Sequence, residues 1–308
     1  MMSTPRTIAE YLEQLRAALR DADPALVQDA LYDAEEHLRA ELAEQPGRSE
    51  ADMLTKVVGS YGAPEEVAEL YRDQEIKVQR ALRPPLPPKR RSLAGRFFGV
   101  AADSRTYGAL FYMLLSLATG IFYFTWAVTG ISLSLGLAVL IIGIPFMVIF
   151  FGSVRLLSLV EGRMVETMLG VRMPRRPTFS TRGMSLWRRI GAMFSDPRSW
   201  STLFYMLMML PLGIIYFTLA VTFLSVSLAF VTAPAAKAFA EAWGFQNSCD
   251  GPAWVCDWVM WLNSWAGAFT LCVVGVLLLF GTLHMVRALG HLHGLIAKHL
   301  LVAGTTGE

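Results

Sequence analysis

Cys249 and Cys256 stand seven residues apart with Asp250-Gly251-Pro252 between them, in a stretch crowded with Phe and Trp. Asp-Gly-Pro is turn chemistry that brings the ends of a loop together, so an oxidising compartment would permit a disulfide between the two thiols. Trp243, Phe245, Trp254 and Trp258 lie around them. Aromatics at this density, preorganised by a disulfide, form a candidate sensing loop for an amphiphile, a peptide or an envelope component. Trp258, with Trp261 and Trp265, equally fits a belt at a membrane surface. Cys272 sits among apolar residues and reads as a packing side chain.

Two Asp-x-Arg corners form a second set, Asp103 with Arg105 and Asp196 with Arg198. Asp at the start of a helix caps backbone N–H groups, so these corners read as structural. His284, His291, His293 and His299 cluster late in the chain, but with no Cys or carboxylate beside them they read as side chains snorkelling to an interface rather than as metal ligands. A phosphate-binding glycine loop, an HExxH pair and a nucleophile elbow are all absent from the sequence. The expectation is a protein that is not an enzyme, with no cofactor, no metal and no direct nucleic-acid partner.

The elements that must position these residues are set by hydropathy. The 308 residues are 54% hydrophobic and only 17% charged. Thr106–Val154, Ser199–Ala236 and Trp258–Val286 contain no Asp, Glu, Lys or Arg. A span needs about 20 apolar residues, so the first window predicts two membrane helices and the others one each. Lys and Arg concentrate before the first span, between the second and third, and after the fourth, with only Lys237 elsewhere. That bias predicts a multi-pass protein of the bacterial inner membrane with both termini cytoplasmic, an outer turn near Thr129-Gly130 and an outer loop from about Thr232 to Asp257. Pro145 and Pro211 are expected to kink the second and third spans. The spans offer hydroxyls rather than ionisable groups, which disfavours a transport pathway.

An internal repeat organises the membrane half. Aligning Asp103–Leu135 with Asp196–Leu228, offset by 93, gives 19 identities in 33 positions. Ser92, Leu93 and Arg96 match Ser185, Leu186 and Arg189 upstream. Each unit is then an interfacial amphipathic helix, a corner and a pair of spans, and both units enter from the same side as a parallel repeat. Its limits are 92–183 and 184–308.

Residues 1–80 differ in kind, with 9 Lys/Arg against 17 Asp/Glu, whereas 81–308 carry 18 against 8. Thr7-Ile8-Ala9-Glu10, Asp23-Pro24, Ser49-Glu50-Ala51-Asp52 and Gly62-Ala63-Pro64 punctuate four helices with apolar residues at helical spacing. The fold class is therefore all-α: a small cytoplasmic bundle, a Pro/basic linker over 81–91 that favours a semi-rigid extended conformation, and a four-helix transmembrane domain over 92–308.

Tyr11-Leu12-x-x-Leu15, Tyr32-Asp33-Ala34-Glu35-Glu36-His37 and Tyr61-Gly62-Ala63-Pro64-Glu65-Glu66-Val67-Ala68 resemble the HAAS domain, a small helical signalling module. The corners, Leu-x-x-Gly-Ile-x-Tyr-Phe at 117–124 and 210–217, Leu133–Gly136, Gly143-Ile144-Pro145 and the Arg155, Glu161, Arg163 run resemble the bacterial sensor domain found at the front of membrane histidine kinases. Together these imply an envelope signalling protein whose bundle meets a cytoplasmic regulator, either a PadR-type transcription factor or a kinase. The residues after Val286 are too few for a kinase output module, so output is expected through residues 1–80. The resemblance carries over no catalytic residue. The expected function is a non-enzymatic sensor that relays an envelope signal, in the lipid bilayer and with scope for a homo-oligomer. The alternative is a structural or accessory subunit of a membrane complex such as an exporter.

Overall fold

Side-chain hydroxyls and carboxylates start the N-terminal helices where the sequence places them. In a computed structural model that describes residues 5–45, 49–82, 92–137, 143–175, 191, 196–245 and 251–302, α1 (Ile8–Ala18) is capped by Thr7, whose hydroxyl accepts from the Glu10 N–H. Asp23 caps α2 (Pro24–Glu44), which carries proline in its first turn, and Ser49 caps α3 (Glu50–Ser60). α4 (Pro64–Leu82) follows the Gly62-Ala63-Pro64 turn, where the Gly62 carbonyl accepts from the Tyr11 hydroxyl at 2.9 Å. The apolar faces of these helices converge on Tyr11, Leu15, Leu38, Met53 and Leu54, all fully buried. This is the core that the helical spacing of apolar residues predicts, assembled from all four helices.

The membrane half contributes α5 (Leu93–Phe98) with a short 3-10 turn, α6 (Ser104–Leu137), α7 (Gly143–Leu169), α8 (Pro197–Val231), α9 (Ala233–Ala242), α10 (Ala253–Leu262) and α11 (Trp265–Leu301). Among the described residues the fold is all helical, with four helices long and apolar enough to cross a membrane. α6, α8 and α11 have 34, 35 and 37 residues. At about 1.5 Å per residue each is longer than the roughly 30 Å hydrocarbon core requires, and α11 runs well past its charge-free window to Leu301. The outward faces of the four long helices α6, α7, α8 and α11 carry Phe111, Phe122, Ile149, Leu156, Phe204 and Leu277, all exposed, as lipid-facing surfaces do. The chain is a membrane protein.

The repeat is visible in what it buries. Tyr112 and Tyr205, Met113 and Met206, Tyr123 and Tyr216, and Ala127 and Ala220 are pairs at the offset of 93, and every member is buried. In α8, Gly213 faces the Ser116 backbone of α6 so closely that a Cβ there would collide with it. Small residues at such contacts let membrane helices pack backbone to backbone.

Three local expectations change. Thr129-Gly130 is no turn, because α6 continues to Leu137 and the Phe150 ring fills the space beside Gly130. Thr and Gly do not break a helix that packing sustains; α6 ends at Leu137 and α7 begins at Gly143, and 138–142 lie outside the described residues. Pro145 does not kink a span, because it sits in the first turn of α7, where its missing N–H has no partner to lose. Pro211 does lie inside α8. Residues 232–257, expected to form a loop, hold a helix, α9, and the first part of another, α10.

The chain divides into two compact units, one from Met1–Leu86, Ile121–Met209 and Leu292–Glu308, the other from Pro87–Gly120 and Leu210–His291. The first holds the helical bundle together with the residues that grip it.

Candidate functional site

Gly170 ends α7 with φ +72, a left-handed conformation that glycine adopts without a steric cost. The chain turns there and lays residues 171–175 back along α7, with Met173 packed against Gly162. This reversal delivers Arg172 into a cage of carboxylates. Its Nη2 donates to Asp29 at 3.0 Å, its Nε to Glu75 at 3.1 Å and its Nη1 to Glu166 at 3.3 Å. Asp29 and Glu75 belong to α2 and α4 of the bundle, and Glu166 to α7. All four side chains are about nine-tenths buried. The Arg172 guanidinium is destabilised by burial, but the Glu75, Asp29 and Glu166 carboxylates outweigh that and raise its pKa. Its charge is permanent at any physiological pH.

Neighbouring contacts extend the joint along α2. The Arg175 N–H donates to Asp29 at 2.6 Å, and its Nη2 donates to Glu166 at 3.2 Å. Arg198, in the first turn of α8, donates to the Gln28 amide oxygen at 3.0 Å. Lys298, in the last turn of α11, pairs with Asp23 at 2.6 Å. The N-terminal half of α2 is thereby held by residues from the reversal after α7, from α8 and from α11. The charge asymmetry of the sequence finds its physical use here, as an acidic bundle seated on basic helix ends.

A second polar group lies deeper in the same unit. The Glu161 carboxyl is 1% exposed and accepts from the Tyr123 hydroxyl at 3.0 Å and the Tyr205 hydroxyl at 2.8 Å. Tyr205 also meets His293 Nε2 at 3.0 Å. α6, α7, α8 and α11 each supply one member. His293 is fully buried, so the interfacial snorkelling expected of the late histidines does not hold for it. A hydroxyl partner offsets the cost of burying the ring. Sequence reading passed over this cluster, because Glu161 sits in a charged stretch and its partners are far away in the chain. The available clue was that Tyr123 and Tyr205 fall within the repeat motifs.

The corner residues cap as their type predicts. Asp103 accepts from the Arg105 N–H at 3.1 Å, and Asp196 from the Arg198 N–H at 3.2 Å. Their ion-pair partners come from elsewhere: Arg287 for Asp103 at 3.1 Å and Arg155 for Asp196 at 3.3 Å. His284 Nε2 lies 3.0 Å from the Phe97 carbonyl oxygen, tying α11 to α5. The second approach segment, 184–195, falls almost wholly outside the described residues.

In the other unit, Trp243, Phe245, Trp254 and Trp258 are all well exposed. Trp258 and Trp261 stack edge to face at 6.0 Å between centroids and line one depression with Asp257. Cys256 is disulfide-bonded, Cys272 is a free thiol, and Cys249 lies outside the described residues.

A family model described as "Putative sensor" matches residues 112–301, more than half of the chain, and one described as HAAS matches residues 10–69. Together they indicate a signalling or sensor role for a membrane-associated chain with a regulatory partner. No curated protein and no solved structure matches.

Proposed function

Because this chain belongs to the sensor family and carries a HAAS module at its N-terminal end, we propose that it is a non-enzymatic inner-membrane sensor-regulator. Its bundle hands the state of the membrane helices to a cytoplasmic partner. One observation carries this reading: Arg172, on the chain reversal after α7, is caged by carboxylates from two bundle helices and from α7. A displacement of α7, α8 or α11 must either drag the bundle with it or break buried charge contacts, and breaking them is costly. Coupling in this form does not run through the Pro/basic linker over 81–91.

Both termini face the cytoplasm in this scheme, and the aromatic segment with Trp243, Phe245, Trp254 and Trp258 faces the envelope as the input side. The partner is a cytoplasmic regulator of the PadR type or a kinase. The test is complementation of a deletion strain with residues 92–308 alone, read as a transcriptional phenotype. The expected result is loss of the response with the membrane part still present in the bilayer. Full rescue without the bundle would overturn the reading, and stable recovery with an exporter at fixed stoichiometry would favour an accessory subunit instead.

A further inference from the structure

Beside the joint lies a cavity of about 40 Å³, walled by α7, the first turn of α8, Gln28 of α2 and the end of α11. One water needs about 10–15 Å³ on this measure, so the space exceeds a single water. Its wall includes two guanidinium groups, Arg155 and Arg198, against one carboxylate, Asp196. The wall is therefore net positive, and the positive end of the α8 dipole adds to it.

Ser199 is the informative residue. It is 2% exposed, it lines the cavity, and its hydroxyl makes no hydrogen bond within the described protein. A buried hydroxyl without a partner is costly, and one on a cationic wall facing open space calls for an acceptor that is anionic. Thr202, one helical turn on, adds a second hydroxyl to the same wall. The Arg155 side chain, on the cavity wall, is 23% exposed.

We propose that this cavity binds a phosphate oxyanion, with Arg155 and Arg198 supplying charge and Ser199 donating a hydrogen bond. Arginine suits the role because its planar fork of donors matches tetrahedral oxyanions. The ligand is either free inorganic phosphate or the phosphate of an anionic lipid headgroup, since both present the same oxygens. The site does not depend on the signalling reading. Its residues stand beside the contact that holds Gln28, so occupancy would bear on how firmly the bundle is seated.

The test uses the full chain in an uncharged maltoside detergent. One arm titrates inorganic phosphate by calorimetry, and the other adds phosphatidylglycerol as mixed micelles and follows the thermal midpoint. Ser199→Ala removes a hydroxyl that no described protein group uses, so folding is retained. It should weaken binding by roughly ten- to hundredfold, the value of a hydrogen bond to a charged group. Arg198→Gln should weaken it further. Thr106→Ala, the equivalent change at the offset of 93, serves as the control and leaves binding intact. Phosphate binding that follows this pattern identifies a free anion as ligand, and a lipid response alone that follows it identifies a headgroup. No binding in either arm, or binding indifferent to Ser199→Ala, overturns the proposal. So does an equal loss on Thr106→Ala.

Discussion

Replacing Arg172 with Ala would leave Asp29, Glu75 and Glu166 facing one another with their principal cation gone. The four side chains are 7–11% exposed, so water cannot substitute fully for the guanidinium. Removing one partner of a buried ion pair costs about 3–5 kcal/mol. At about 1.4 kcal/mol per factor of ten, that shifts bundle seating by roughly two to three and a half decades. Gln28 is 8% exposed within the joint, so a cysteine placed there (Gln28→Cys, in a Cys272→Ala background) reacts with a maleimide only when the bundle lifts. In the full chain reconstituted in nanodiscs, its labelling rate should rise at least a hundredfold with Arg172→Ala. Adding Asp29→Ala and Glu75→Ala should recover part of the loss, because the uncompensated bundle carboxylates are then gone. A labelling rate within about twofold of the parent, or a triple variant worse than the single one, would refute the assignment of Arg172 as the clamp.

Glu161→Ala should lower thermal stability, because the buried Tyr123 hydroxyl loses its acceptor at about 1–3 kcal/mol and Tyr205 keeps only His293, whereas Glu161→Gln, which keeps an acceptor oxygen, should cost less; thermal unfolding in detergent checks the order. In the bundle, burial first and Asp33 second raise the Tyr71 pKa, and burial raises that of Tyr11. A raised folded pKa stabilises the bundle fully below the unfolded value of about 10, and that stability is lost as pH climbs beyond it. Tyrosinate absorbance should therefore appear together with loss of helical circular dichroism above about pH 10, and ionisation of these tyrosines with helicity unchanged would contradict it. Replacing Cys249 or Cys256 with Ser should free a thiol that an impermeant maleimide labels from outside the cell, and no gain in labelling would contradict either the disulfide or the topology.

Local rules read from the chain held where neighbours in sequence decide the outcome. Thr7, Asp23 and Ser49 cap the helices they precede, because a side-chain oxygen reaches an N–H two or three residues on regardless of the rest of the fold. Four apolar helices were legible because hydrocarbon length and the burial of backbone polar groups leave little choice. The same rules erred at Thr129-Gly130 and Pro145, where position within a helix, set by packing against residues such as Phe150, mattered more than residue type.

The sequence by itself thus determined the all-helical class, the repeat, the acidic bundle and the number of spans, since each rests on periodicity, composition or a contact a few residues long. Tertiary structure alone decided that Arg172 meets Asp29 and Glu75, 143 and 97 residues away in the chain. It also decided that Tyr123, Glu161, Tyr205 and His293 form one buried group. A charge read along a sequence has many oppositely charged candidates and no distances. Only the turn at Gly170 and the packing of the long helices select the partners, and burial then makes those few contacts strong.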